Sequence, residues 1–393
     1  MRNKFFLFIL TPFLSIAAKA QTISFTLVDE GNKNFCFYIP NGLKTDTLVR
    51  GRVNMLGQGK VIIPDRYKGV AAMGVLDVAD GVKQNLILED KDFSISVISG
   101  QQPVFTGSEE NDLLYNKQQD IMNKENENTF AQFYVKILNS VSKASRIVAQ
   151  PNSANLFERT SARLSLVNDA DVDKLYYSRF WFYTIDGILQ LSISQEAFAD
   201  DMIKLLEKTK TERVYTALVE DIIMITNQFG LDDAFDKVLL HVKDSGKIKY
   251  PQGIIFDAFK MLKVRKGTTA PALVGLSHSV ENYDYSLLIF HQPGCDHCHE
   301  QLRLLNENLK FFKEKKVRIV SISGDMDEKS FEEESKTFLW NDKLCDYKGF
   351  AGNNFTNFGV IATPILYLVD AKDLVLGRFG TVDAAKKCLT DSM

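Results

Sequence analysis

Hydrophobic and polar positions follow three rhythms along the chain. From Thr22 to about Gly107 short runs alternate with period two, as in Ile23-Phe25-Leu27, Phe35-Phe37-Ile39 and Phe93-Ile95-Val97, with glycine, asparagine and aspartate between them. That pattern predicts a small all-β domain, sandwich-like or barrel-like, over residues 21–107. At Ser108, followed by Glu109, Glu110 and Asn111, the signature of a helix start appears and the period shifts to three and four. Met202-Ile203-Leu205-Leu206 and Leu218-Ile222-Ile225 place apolar side chains on one helix stripe, while Gly230 marks a stop before Leu231-Asp232-Asp233 opens another helix. Residues 108–264 therefore read as a mostly α-helical domain. The aromatic group Tyr176, Tyr177, Phe180, Trp181, Phe182 and Tyr183 reads as core on a helix rather than as the lining of a peptide groove.

From Lys266 the rhythm changes again. After the irregular lead-in Gly267-Thr268-Thr269-Ala270-Pro271, strands are expected at Ser286–Phe290, Val317–Ser323, Ile365–Val369 and Leu374–Phe379. Helices are expected at Cys295–Lys316, Phe331–Trp340 and Asp383–Leu389. The order β-α-β-α-β-β-α over residues 265–393 implies an α/β domain whose central sheet carries helices on both faces.

The first twenty residues stand apart. Arg2 and Lys4 form a basic start, Phe5 to Ile16 is an almost unbroken apolar run, and Ala18-Lys19-Ala20 fits a small-x-small cleavage site. Residues 1–20 thus read as a secretory signal, with the mature chain beginning at Gln21. The run falls short of the roughly 20 residues that span a bilayer, and Pro12 interrupts it. The expectation is export to the periplasm or cell envelope, without a transmembrane segment in the mature chain. No cysteine follows the run to carry a lipid anchor.

Composition narrows the function classes. A chain of 393 residues, 45% hydrophobic and 25% charged, is ordinary globular material sufficient for two or three domains. With 47 Lys and Arg against 50 Asp and Glu, and no basic stripe interleaved with aromatics, a nucleic-acid partner is not expected. Five cysteines are too few for a disulfide scaffold, so those that matter do so through their chemistry.

The chemistry concentrates in Phe290-His291-Gln292-Pro293-Gly294-Cys295-Asp296-His297-Cys298-His299-Glu300. Two cysteines three apart stand where a buried strand hands over to a helix. A thiol is a nucleophile only as thiolate, and the unpaired N–H groups and positive end of a helix stabilise that anion. Cys295 sits at the exposed end of the turn, and Cys298 is placed to attack a mixed disulfide on Cys295. Between them His297, when protonated, favours the thiolate and Asp296 opposes it.

This stretch resembles the active site of the thioredoxin superfamily, and the resemblance extends to Ala362-Thr363-Pro364 before Ile365–Asp370. Family members carry a cis-proline there, beside the dithiol, whose neighbouring backbone pairs with the substrate chain. The lead-in Gly267–Pro271 is similar to that of the envelope group that also contains the cytochrome-maturation reductases. The arrangement of signal, β module, helical region and thioredoxin-like module is similar to one common among Bacteroidota envelope proteins. The resemblance covers the last third of the chain. It implies a thiol-disulfide oxidoreductase with Cys295 attacking, Cys298 resolving, Thr363 and Pro364 guiding substrate, and no cofactor or metal. It also implies partners among envelope protein thiols or disulfides and a membrane or periplasmic electron donor. Threonine before the proline is similar to the reducing members.

Three features depart from the family pattern. Gly294 replaces the usual aromatic before the first cysteine, Gln301-Leu302-Arg303 lacks the helix-kinking proline, and Ser286–Ile289 offers no buried acid. Glu300 and His291 are the candidates for that last role.

Rival readings use the same residues. Cys295 to His299 satisfies C-x-x-C-H, the haem attachment motif, though in a strand-to-helix context unlike an all-helical cytochrome. His291, Cys295, His297, Cys298 and His299 could supply metal ligands, but neighbouring helix positions point apart. A purely structural disulfide, in a non-enzymatic envelope binding protein, is the remaining alternative. Cys36, Cys345 and Cys388 read as small buried hydrophobes, with a Cys345–Cys388 disulfide sterically allowed. His241 and His278 read as solvated or packed.

Overall fold

The computed structural model describes residues 21–117, 121, 129–150, 152, 154–277 and 282–391. The expected signal segment and His278 lie outside the described residues. Two compact units emerge: one gathers the described residues up to Asn139 with Lys174–Phe182, the other Ser140–Asp173 with the described residues from Tyr183 onward.

In the first unit, eight strands follow the alternating runs: β1 (Thr22–Leu27), β2 (Asn34–Asn41), β3 (Lys44–Arg52), β4 (Gln58–Ile62), β5 (Met73–Val78), β6 (Lys83–Ile87), β7 (Phe93–Val97) and β8 (Val104–Thr106). They form two four-stranded sheets, ordered β4-β1-β7-β8 and β3-β2-β5-β6. Period-two side chains such as Ile23, Phe25 and Leu27 are fully buried, and Phe25 meets Phe35 of the other sheet edge-on at 5.0 Å. Ser108 caps α1 (Glu109–Asn116) as its sequence signature implies. Asn111 then exchanges two hydrogen bonds, of 2.7 and 2.8 Å, with the backbone of Ile87 and fixes the helix to β6.

The chain continues through α2 (Phe130–Ala149), α3 (Leu156–Asp169), α4 (Val172–Tyr176) and α5 (Trp181–Leu191). Here the aromatic expectation needs correction. The six residues do not share one helix: α4 ends at Tyr176 and α5 starts at Trp181. Tyr176, Tyr177, Phe180 and Trp181 are buried, but Phe182 and Tyr183 are exposed. The carbonyls of Tyr176 and Tyr177 accept the N–H groups of Gly42 and Met73, which ties the segment to the β module, while Phe180 packs against Tyr134 of α2 at 4.9 Å.

In the second unit, α6 (Gln195–Lys208), α7 (Glu212–Phe229), α8 (Asp232–Ser245) and α9 (Gly253–Met261) follow. Gly230 ends α7 in the left-handed region at φ 63°. The C-terminal region holds β9 (Tyr285–His291), α10 (Asp296–Glu307), α11 (Leu309–Glu314), β10 (Val317–Ser323), α12 (Glu328–Ser335), β11 (Asp342–Cys345), α13 (Asn353–Phe358), β12 (Ile365–Asp370), β13 (Val375–Phe379) and α14 (Val382–Asp391). Its sheet runs β11-β10-β9-β12-β13, with β9 to β11 parallel and β12 antiparallel to both β9 and β13. Leu287 and Ile289 face Leu302 and Leu305 of α10 and Val382 and Leu389 of α14. On the opposite face Phe290 meets Phe355 and Phe358 of α13. This is the expected thioredoxin-like α/β domain, with helices on both faces.

Local expectations in this domain are corrected at three places. The helix expected over Cys295–Lys316 is two helices, because Asn308 at φ −98°, ψ 8° ends one and begins the next. The helix expected over Phe331–Trp340 is α12, capped by Asp327 and finished at Ser335. Phe338 and Trp340 beyond it drop into the core, where the Trp340 indole N–H donates to Ser321 Oγ at 3.0 Å. Two elements, β11 and α13, were not expected at all.

Candidate active site

Strand β9 ends at His291, and a turn through Gly294 delivers Cys295 to the position just before α10. Gly294 has φ 69°, which favours glycine, and its Cβ position has nothing within 4 Å. The missing aromatic therefore leaves open space before the dithiol. Cys295 is the N-cap of α10, and its sulfur accepts the Cys298 N–H at 3.1 Å. The helix thus directs an unsatisfied donor at the sulfur that would carry negative charge as thiolate.

Cys295 and Cys298 are disulfide-bonded, with Cα atoms 5.2 Å apart. Cys295 remains partly accessible while Cys298 is fully buried, so an incoming partner reaches the first sulfur and not the second. The Thr363–Pro364 peptide is cis, and the Thr363 carbonyl lies 3.8 Å from Cys295 Sγ. A separation of 68 residues is thereby closed to one contact. Asp296 and His297 are both exposed at the helix start.

Of the two candidates for the missing acid, Glu300 points away, held by Arg303 at 2.7 Å on the helix surface. His291 is fully buried and shares the α10 side of the sheet with Leu287 and Ile289. Its ring packs edge-on against Phe338 at 5.6 Å. Burial, with the nearby His299 adding to it, pushes its pKa down to about 4, against the pull of Asp325. His291 Nδ1 lies 3.8 Å from Glu334 Oε2, and His299 Nδ1 lies 3.4 Å from Glu334 Oε1. Burial raises the Glu334 pKa. Among the described residues neither His291 nitrogen nor either Glu334 carboxylate oxygen has a hydrogen-bond partner. Glu334 and Asp325 had no signal in the sequence, because only the fold brings α12 and the end of β10 to His291.

The other singled-out residues lie elsewhere. Cys36, Cys345 and Cys388 are thiols, so Cys345 and Cys388 are not joined, and Cys345 Sγ contacts the Asp325 carbonyl at 3.5 Å. His241 is partly buried on α8. Among the described residues no group of three or more histidine, cysteine, aspartate or glutamate side chains is placed to hold a metal ion. None of the described helices is long and apolar enough to cross a membrane.

No protein-family model matches the chain, and no curated protein matches it. Among solved structures, the chain is similar to a thioredoxin-like protein from Bacteroides caccae, at 21% identity over 54% of this chain and 82% of that one, with a TM-score of 0.41. A thiol-disulfide oxidoreductase from Bacteroides fragilis is similar at 25% identity over 28% of this chain and 82% of that one, with a TM-score of 0.26. A thiol:disulfide interchange protein from a Bacteroides species is similar at 21% identity over 33% of this chain and 92% of that one, with a TM-score of 0.28. The thioredoxin-like fold itself stands on the strand order, the cis-proline and the dithiol at the head of α10.

Proposed function

We propose that this chain is an exported thiol-disulfide oxidoreductase that exchanges disulfides with proteins of the periplasm or cell envelope, with reduction the favoured direction. One observation carries the reading: a partly accessible Cys295, backed by a helix N-terminus, faces the cis Thr363–Pro364 peptide, with its buried disulfide partner Cys298 one turn behind. In the reducing direction the Cys295 thiolate attacks one sulfur of a substrate disulfide. The substrate S–S bond breaks, a Cys295–substrate disulfide forms, and the first substrate thiolate leaves and takes up a proton. Cys298, losing its proton, then attacks Cys295 Sγ. The second substrate thiol departs, and the Cys295–Cys298 disulfide holds the two-electron oxidation. A membrane or periplasmic dithiol donor returns the pair to its reduced form, and no cofactor beyond the dithiol is needed. Thr363 and Pro364 guide the substrate backbone, and Asp296 and His297 modulate the thiolate. The preference for reduction follows from the threonine before the proline, which is similar to the reducing envelope members.

The test is a trap. Replacing the resolving thiol in Cys298→Ser is expected to leave envelope proteins bound to Cys295 as mixed disulfides that dissolve in reductant, visible as high-mass bands on a non-reducing gel. Lysates of the native host in which Cys298→Ser shows no such bands beyond those of the Cys295→Ser, Cys298→Ser double variant would refute protein disulfide exchange.

A further inference from the structure

Among the described residues, most of the buried side-chain nitrogen and oxygen atoms without a hydrogen-bond partner lie in one place: both nitrogens of His291, both oxygens of Glu334 and Oδ2 of Asp325. Topology sets that place beside the resolving cysteine. Strands β9 and β10 are parallel, so the helix that joins them returns along β9. The buried side of α10 carries Cys298, Leu302 and Leu305, and the facing side of β9 carries Leu287, Ile289 and His291. The first buried residue of the helix, Cys298, therefore stands at the end of the strand that His291 closes.

Glu334 links this interior to the surface. Helix α12 buries none of its residues fully, yet the Glu334 carboxylate is turned inward, with Oε2 3.8 Å from His291 Nδ1 and Oε1 3.4 Å from Nδ1 of His299. His299, the residue after Cys298, is half-exposed. Around them stand Asp325 after β10, Cys345 of β11, whose sulfur touches the Asp325 carbonyl, and Lys343 of β11, which donates to the Ser335 carbonyl at the end of α12. Burial keeps His291 neutral, so one ring nitrogen accepts a proton while the other donates one. Burial also raises the Glu334 pKa, which brings its proton uptake closer to neutrality.

A redox change supplies what these groups lack. In the Cys295–Cys298 disulfide neither sulfur carries a hydrogen, whereas a reduced Cys298 brings a buried S–H donor to the same end of the sheet. Unpartnered buried groups lower stability, so their concentration here points to a task outside folding.

We propose that His291, Glu334 and His299 form a proton path between Cys298 and solvent. The inference rests on the oxidoreductase reading and adds to it an exit that β9 alone does not supply. In the resolving step the Cys298 S–H bond breaks, its sulfur bonds to Cys295 Sγ, and the substrate thiolate leaves and is protonated by water. The Cys298 proton passes to one His291 nitrogen, the proton on the other nitrogen passes to a Glu334 oxygen, and Glu334 releases its proton through His299. The reverse sequence protonates Cys298 when the pair is reduced. All three residues act through Cys298, as positioning residues, and contacts of this kind are often long until the reacting state forms.

The test takes the full chain, reduced and in excess over dithiobis-nitrobenzoate, an aromatic disulfide that releases a coloured thiolate twice. The first release reports attack by Cys295 and the second reports resolution by Cys298; stopped-flow absorbance separates them. At pH 7, Glu334→Gln and His291→Phe are each expected to leave the first release unchanged and to slow the second about a hundredfold. The deficit should close in acid, where Glu334 of the wild type already holds its proton. His291→Phe takes unpartnered nitrogens out of the core, so a slow second release in that variant does not come from a damaged fold. A normal second release in either variant, an equal loss in both steps, or a deficit independent of pH would overturn the path. A wild-type chain that gives only the first release defeats the oxidoreductase reading itself, and the path with it.

Discussion

His291 shows what burial does to a single residue. Its pKa of about 4 in the folded chain lies below the roughly 6.5 of an unfolded histidine, so the unfolded state binds the extra proton. Stability from this residue is complete above about pH 6.5 and is lost as pH falls toward 4. Both ring nitrogens also lack partners, a cost of about 1–3 kcal/mol that an apolar ring would not carry. His291→Phe, beside Phe338, should therefore stabilise the protein, and by about 2 kcal/mol more at pH 5 than at pH 8. His299, Asp325 and Glu334 face the same site, and they remain in the variant. Urea unfolding at the two pH values measures the difference, and a gain that does not change with pH would show that His291 does not titrate in this way. Cys295, Cys298 and Pro364 were legible in the sequence because their chemistry is tied to fixed spacings and to a strand start. Glu334 and Asp325 were not, because an acidic residue on an acidic helix or after a strand looks like any solvated charge until the fold buries it.

Among elements, the strands with apolar rhythm were read correctly, while those set by pairing alone were not. Strand β11, Asp-Lys-Leu-Cys, has only partly buried residues, and it is a strand because β10 offers it a parallel edge. Helix α13 is six residues long, too short to show a period. Its end nevertheless bears on the active site. Gly359 closes α13 at φ 67°, and a Cβ there would lie 2.1 Å from the Lys260 carbonyl of α9. From this point the chain runs through Ile361 to Thr363. Gly359→Ala combines left-handed strain with a backbone clash, and is expected to cost about 2 kcal/mol of stability. The shifted loop should also lower insulin reduction. An unchanged urea midpoint would mean that the contact yields without cost.

At the scale of the whole molecule, the helical part of the second unit and the thioredoxin-like domain share a buried cation. The Arg378 side chain of β13 is 3% exposed, lies 3.0 Å from Asp232 and 3.3 Å from Asp236 on α8, and donates to the Met261 carbonyl of α9. Its guanidinium also lies over the Phe235 ring at 5.0 Å. Residues 146 positions apart are thus held together. Burial outweighs the attraction of Arg378 and pushes the Asp236 pKa up to about 6. The folded state therefore binds this proton more readily than the unfolded state, and the stabilisation that Asp236 gives when protonated fades as pH rises through about 6. Arg378→Met removes the cation and leaves two carboxylates facing each other without it. At pH 8 the loss should reach about 3–5 kcal/mol, the range for breaking a buried ion pair from one side. At pH 5 it should be smaller, because Asp236 can take up a proton instead of remaining an unpaired charge. Urea midpoints of wild type and Arg378→Met at both pH values decide the matter: a deficit equal at pH 5 and pH 8 would mean that the cluster holds the two parts together by packing alone. A deficit that shrinks in acid would make the junction electrostatic, with a protonated Asp236 tolerating the loss of the cation that the charged carboxylate does not.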